Sequence, residues 1–340
     1  MDFKEILERL SCSEDLTPET AESAIRQIMS GQVNNEQVAG FLTAMRLKGE
    51  THQELTAFVK VMREKATKVN VNVDGAIDLV GTGGDKSGTF NISTVSAFVV
   101  AGAGVPVIKH NNRSASSKCG SADVLEKLGV DIELKANQVE RAYKEVGIAF
   151  MFAPMFHPAM KYVMPARRAL GFRTFFNILG PMCNPAGVRR YVIGAFSKEV
   201  AEKMAHILAN LETEFAYTVN SHDGLDELSL TSGADVFELK DSILSMPILF
   251  EPESLGFEKC SMADITGGDV HENAQIFENI LDNNATQAQR DIVLLNAAFG
   301  IQASGKVSSL GEAIILAEES LESGKARDIF NNYVEVSRNV

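Results

Sequence analysis

The sequence predicts an α/β protein: a small all-helical domain over residues 1–70, joined by part of 155–190, and a larger domain over 71–340 with a mostly parallel central sheet and helices on both faces. Three observations predict it. The first seventy residues repeat the spacing of amphipathic helices. From residue 76 short apolar runs alternate with helical stretches, with few turn-rich hairpins between them. The first of those runs empties into a glycine loop and then a helix, the start of a βαβ unit.

The elements follow in order. Phe3, Ile6, Leu7 and Leu10 line one face of an N-terminal amphipathic helix, which does not read as a signal peptide. Asn34 can cap a helix, with Gln37 reaching back and Val33 stapled on Val38; Val38, Phe41, Leu42 and Met45 then recur at i, i+3, i+4, i+7, and Gly49 stops the run. Thr51 and Glu54 form a capping box for the next helix, whose apolar face is Leu55, Phe58, Val59 and Met62. A strand over 76–80, a helix over 92–102 and a strand over 105–108 make the first βαβ unit. Helices are expected at 122–128 and 138–146, the latter capped by Asn137 with Glu140 at its third position and stopped by Gly147. A strand at 148–153 precedes an irregular, Pro-, Arg- and Phe-rich stretch, 155–185, expected to pack back on the first domain. Strand 191–196, helix 198–211 and strand 215–219 form a second βαβ unit.

Composition narrows the function. The chain has 340 residues, 45% hydrophobic and 23% charged, which argues against a disordered or fibrous protein. Lys and Arg number 32 against 45 Asp and Glu, a net charge of −13, which opposes a general role on nucleic acid or anionic lipid. The longest apolar stretch, 95–108, is broken by Ser96, Gly102, Gly104 and Pro106 and falls short of the ~20 residues a membrane span needs. Cys12, Cys119, Cys183 and Cys260 are scattered, with no C-x-x-C pair, as expected of reduced thiols in the cytoplasm.

Three loops carry chemistry. Gly81-Thr82-Gly83-Gly84-Asp85 leads through Thr89 and Asn91 to Ser93 and Thr94 at a helix start. Glycines there let backbone N–H groups approach a phosphate, and the helix N-terminus and hydroxyls add donors; a tight turn capped by Asn91 or Thr89 fits the same residues. The stretch from Lys109 to Ser121 is the most polar that follows any strand. It reads as a loop in which Lys109, Arg113 and Lys118 bring positive charge and Ser116, Ser117 and Ser121 bring hydroxyls, or as a solvated loop with Ser121 as a helix cap. His110 could act as a base or as a positioning group. Asp226 and Glu227 follow a strand; adjacent carboxylates suit Mg²⁺ that completes its shell with phosphate oxygens and water.

The motifs together resemble anthranilate phosphoribosyltransferases: GTGGD at 81–85, NIST at 91–94, KHxNRxxSSxxGSADxLExLG at 109–129, FAPxFHPAM at 152–160, RxxLGxRTxFNxLGPxxNPA at 167–186, DGLDE at 223–227 and ITGGDxxEN at 265–273. The resemblance covers essentially the whole chain. It implies transfer of phosphoribose from 5-phosphoribosyl 1-pyrophosphate (PRPP) to the amine of anthranilate, and a homodimer joined through the helical domain. It places PRPP on Gly81, Gly84, Asp85, Thr89, Asn91, Ile92, Ser93, Thr94, Lys109, Asn112, Arg113, Ser114, Ala115, Ser116, Ser117 and Ser121. It places anthranilate on Gly81, Asn112 and Arg167, and Mg²⁺, about two ions with PRPP, on Ser93, Asp226 and Glu227. Lys109 and His110 stand as the catalytic pair, His110 orienting. The chain departs at one point: the family writes Lys-His-Gly-Asn-Arg, and Asn111 replaces the glycine. A left-handed backbone there would make the exchange cheap, whereas a need for close approach would narrow the acceptor pocket.

Three other readings are weighed against this one. A pyrimidine nucleoside phosphorylase would share the fold, but its phosphate-loop pattern is missing and the Asp226–Glu227 pair favours Mg-pyrophosphate. A nucleic-acid-binding relative meets the negative charge. A complex with an anthranilate synthase subunit is compatible with the sequence.

Overall fold

The computed structural model describes residues 1–85, 87–113 and 118–340. Four helices open the chain: α1 (Phe3–Ser11), α2 (Pro18–Met29), α3 (Asn35–Lys48) and α4 (His52–Lys65). Their ends obey the sequence. Thr17 and Asn34 accept hydrogen bonds from the third residues of α2 and α3, and the Thr51–Glu54 capping box of α4 is complete. Gly49 ends α3 at φ +86, where a side chain would be strained. Phe3, Phe41, Phe58 and Phe175 pack ring on ring beneath these helices.

The larger domain alternates strand and helix: β1 (Ile77–Gly81), α5 (Ile92–Gly102), β2 (Val107–Asn111), α6 (Ser121–Lys127), α7 (Ala136–Val146) and β3 (Ile148–Phe152). The short helices α8 (Ala153–Phe156), α9 (Met164–Leu170) and α10 (Phe176–Leu179) follow, then β4 (Arg190–Gly194), α11 (Lys198–Ala209) and β5 (Phe215–Ser221). An antiparallel ribbon, β6 (Ala234–Lys240), β7 (Ile243–Leu244) and β8 (Ile248–Phe250), precedes α12 (Val270–Leu281), α13 (Gln287–Ala303), α14 (Leu310–Glu322) and α15 (Lys325–Asn339). The strand order is β3-β2-β1-β4-β5-β6-β7, with β8 also on β6; β1 to β5 are parallel. The order reverses at β1, which lies between β2 and β4. Ligands of open parallel sheets bind beyond the strand C-termini at such a point.

Three expectations change. β2 runs on through Lys109, His110 and Asn111, which the sequence reading placed in a loop; these three are only 1%, 5% and 7% exposed. A parallel strand tolerates polar residues at its C-terminal end because that end opens on a polar site. Asn111 is therefore extended and not left-handed, so the cheap exchange for glycine does not apply. α7 starts at Ala136, two residues early, and Gln138 instead of Glu140 reaches back to the cap. Gly120, not Ser121, caps α6, with Asp123 accepting from its N–H.

Residues of the 155–190 segment are hydrogen-bonded to the opening helices and the chain just after them. Thr67 N–H donates to the Phe156 carbonyl at 2.8 Å, and Arg46 donates to the Arg173 carbonyl. Arg63 of α4 reaches across to the Met182 carbonyl (2.7 Å) and the Tyr191 hydroxyl (3.0 Å). No helix among the described residues is long and apolar enough to cross a membrane, and none of the four cysteines forms a disulfide.

Candidate active site

Two half-sites meet at the C-terminal rim of β2. Side chains alternate along a strand, so Lys109 and His110, adjacent in sequence, serve opposite faces of the sheet.

On the face packed by α5, the Lys109 ammonium donates to the Leu79 carbonyl and to Ser93 Oγ (3.1 Å). Asp226 and Glu227 arrive from the turn after β5. Gly83 N–H donates to Asp226 Oδ2 at 2.5 Å, and Ser93 N–H to Glu227 Oε1 at 3.3 Å. Two glycines make room for this turn: a Cβ on Gly81 would strike the Asp226 carboxylate, and one on Gly194 would strike its backbone. Ser221 donates to the Glu227 carbonyl (2.7 Å), and Asn296 clasps Leu228 through N–H and carbonyl. Burial, and the neighbouring Asp85, push Asp226 up to about 7; burial, and Asp226 itself, push Glu227 up to about 8. Burial pushes Lys109 down, while Asp78, Glu227 and Asp226 oppose the loss of its proton.

These carboxylates suit a hard divalent cation. They are buried, crowded and short of positive charge. Among the described residues no three acidic, His or Cys side chains converge to enclose a metal, so an ion here needs oxygens from a substrate, the habit of Mg²⁺.

The rest of the glycine loop is held in place. Asp85 accepts from the Ser87 hydroxyl (2.5 Å), Arg173 donates to the Gly84 carbonyl, and Thr89 bridges to Thr266. Asn91 does not cap α5 through its side chain. It donates to the Cys119 carbonyl (3.3 Å) and accepts from Asn273 (3.2 Å), which ties the loop to α12. Ile92 and Thr94 are buried, and the Thr94 hydroxyl has no partner. Asn112 is exposed, and Ser121 opens α6. Arg113 is already engaged by Asp123 (2.8 Å) and Glu126 (2.8 and 3.1 Å), which hold its pKa above the usual value. Ser114, Ala115, Ser116 and Ser117 lie outside the described residues.

On the opposite face His110 sits with Nδ1 3.2 Å from the Gly180 carbonyl and its ring 4.9 Å from that of His157. A carbonyl only accepts, so Nδ1 carries the proton and Nε2, buried without a partner, presents a lone pair. Burial, then His157, drives His110 down to about 3; burial drives His157 down to about 4. Both are neutral at pH 7. Arg167 of α9 is half-buried over the Phe176 ring (5.5 Å), 3.4 Å from Asn177 Oδ1. Among the described residues no carboxylate pairs with it.

Two residues that support the site escaped the sequence reading. Asp78 is fully buried in β1, accepts from His110 N–H (3.2 Å) and Asn184 (2.8 Å), and is pushed by burial to about 7. A lone carboxylate inside an apolar strand was the signal. His157, quoted only inside a motif, is 6% exposed with neither ring nitrogen partnered.

Comparison with known proteins agrees with this architecture. Residues 4–66 match the helical bundle domain, and residues 73–327 the a/b domain, of a glycosyl transferase family. The anthranilate phosphoribosyltransferase of Salinibacter ruber is 45% identical over 336 residues, 98% of each chain. The crystal structure of the Thermus thermophilus enzyme of that name superposes with a TM-score of 0.92 at 40% identity, covering 99% of this chain and 100% of that one. The Saccharomyces cerevisiae enzyme, solved with PRPP and Mg, gives 0.91 at 27% identity, covering 99% and 98%.

Proposed function

The chain belongs to the anthranilate phosphoribosyltransferase family, and from that premise we propose how its cleft works. It transfers phosphoribose from PRPP to the amine of anthranilate, giving N-(5-phosphoribosyl)anthranilate and pyrophosphate, a step of tryptophan biosynthesis. The observation that supports the assignment of residues is the end of β2: Lys109 faces Ser93 and the Asp226–Glu227 pair, while His110, on the opposite face, meets the Gly180 carbonyl and the His157 ring.

Breaking the bond from C1 to pyrophosphate leaves positive charge on the ribose and negative charge on the leaving group. The glycine-loop N–H groups and the start of α5 are donors placed for that negative charge. Asp226 and Glu227, with the Ser93 hydroxyl, would hold Mg²⁺ against the pyrophosphate. When bound, the ion supplies charge neutralisation and positioning; about two ions match two carboxylates and a pyrophosphate. Lys109 binds Ser93 and balances the carboxylates, so its role is to order this half-site.

On the other face Arg167, with no carboxylate partner among the described residues, offers its guanidinium to the anthranilate carboxylate. His110 Nε2 accepts an N–H of the amine and aims its lone pair at C1. An aromatic amine is not protonated at neutral pH, so orientation suffices and no strong base is required. A neutral His110 suits that role. Gly81 and Asn112 border both substrates, and Ser121, which opens α6, borders PRPP.

The surrounding organisation follows the same reading. Residues 1–70 and part of 155–190 form the helical domain, 71–340 the α/β domain. α3 presents Leu47, 82% exposed, beside Gly40, Thr43 and Ala44, a surface suited to a second copy in a homodimer. A cytoplasmic location fits the scattered cysteines with no C-x-x-C pair.

The test is pyrophosphate release by the purified chain with PRPP and Mg²⁺. Release that requires anthranilate supports the assignment. Phosphorolysis of uridine or thymidine in its place would transfer the chain to the phosphorylase reading.

A further inference from the structure

Asn111 is the last residue of β2 and stands where the family writes glycine. It is 7% exposed, and among the described residues neither its amide nitrogen nor its carbonyl oxygen has a hydrogen-bond partner. Each such orphan costs about 1–3 kcal/mol, more than a protein gains by placing Asn where glycine would serve. A ligand that completes both bonds accounts for the expense.

Its position says which ligand. Alternation puts Asn111 on the face of Lys109, the face of Ser93 and the Asp226–Glu227 turn, and away from His110 and Arg167. In β3 its partner is Phe152. On its other side β2 pairs with β1, whose last residue, Gly81, leaves the place of a side chain to the Asp226 carboxylate. The half-site is therefore that of the phosphoribosyl donor.

Its chemistry says which part of that ligand. A carboxamide has donors on nitrogen and an acceptor on oxygen, side by side. Phosphate and pyrophosphate oxygens only accept, and would leave the Asn111 carbonyl orphaned. A vicinal diol both donates and accepts. We infer that the Asn111 carboxamide binds the ribose hydroxyls of PRPP, a specificity contact that glycine at this position cannot make. The inference rests on the proposed transferase reading and adds a residue to it. It also replaces the expectation that Asn111 narrows the acceptor pocket.

The experiment is calorimetry of PRPP with Mg²⁺ on the full chain and on Asn111→Gly and Asn111→Ser, together with steady-state KM values for both substrates. PRPP affinity is expected to fall about tenfold in each variant, with the KM for anthranilate unchanged within about twofold. The 2-deoxyribose analogue of PRPP, which keeps only one of the two hydroxyls, should lose less affinity than PRPP on Asn111→Gly. Unchanged PRPP affinity with an altered anthranilate KM would assign the carboxamide to the acceptor and overturn the inference. So would unchanged affinity for both. A chain that binds no PRPP overturns the transferase reading as well. A chain that transfers phosphoribose, yet loses nothing on substitution, overturns this inference alone. Asn111→Ser keeps a short polar side chain, so the comparison stands if the glycine variant does not fold.

Discussion

At the scale of single residues, the cleft depends on charges held without enough counter-charge. Arg167 pairs with no carboxylate among the described residues, and the proposed reading gives it the acceptor site. Replacing it with Ala removes a charge-assisted pair of hydrogen bonds, so the KM for anthranilate should rise about 10- to 100-fold while the PRPP Kd stays within about threefold. Equal losses for both substrates would contradict the separation of faces. Asp226 and Glu227 make the opposite case, with both pKa values raised, by burial first, to about 7 and about 8. The native state then binds more protons than the unfolded chain from about pH 4 up to about pH 8. Their contribution to metal-free stability is present at acid pH and lost as pH rises through that window. The double variant Asp226→Asn, Glu227→Gln should escape the loss. In urea titrations without metal its stability relative to the parent should increase from pH 5 to pH 8, and its Mg²⁺-dependent activity should vanish with the fold intact. A pH-independent difference, or normal activation by Mg²⁺, would sink the assignment.

At the scale of elements, the position of the carboxylates is set by glycines on two neighbouring strands. Gly194 ends β4 directly under the Asp226 backbone. A methyl group there cannot be accommodated by a side-chain adjustment, because the atom it meets is backbone. Gly194→Ala should lower the Tm by roughly 5 °C through overpacking of about 1–3 kcal/mol, and PRPP binding should weaken with it. Retention of both would show that the turn is free to move. The elements also show what the sequence could reveal. Caps and periodicity located α3 and α4 because those signals are local: Asn34, the Thr51–Glu54 box and Gly49 act within one turn. The end of β2 was not legible. Lys109, His110 and Asn111 look like a loop by polarity, and only the sheet, with Asp78 binding His110 N–H and Ser93 binding Lys109, makes them strand. The β6–β8 ribbon was missed for a related reason: Ile243, Leu244, Ile248 and Leu249 pair across a sheet edge that forms only after β5 is placed. The motifs gave most candidate positions; they could not say that Arg113 is engaged by Asp123 and Glu126, since that pairing depends on α6 folding beside it.

At the scale of the whole molecule, the architecture joins two chemistries that neither half holds alone. The sheet reverses its strand order at β1 and so opens a cleft at its C-terminal rim. The 155–190 segment leaves the sheet, bonds to the helical domain and brings His157 against His110. The helical domain is tied to the α/β domain by Arg63 and by the stacked pair His52 and His206, 5.1 Å apart. On the proposed reading, donor and acceptor sites sit on opposite faces of one strand end, and transfer requires both. The central claim is tested most directly by following anthranilate fluorescence with the purified chain, PRPP and Mg²⁺, with EDTA as the control. The account predicts a loss of fluorescence that needs PRPP, stops with EDTA and matches the pyrophosphate released. Undiminished fluorescence, while calorimetry shows PRPP bound in the presence of Mg²⁺, would contradict it and leave a phosphoribosyl site that serves a different acceptor.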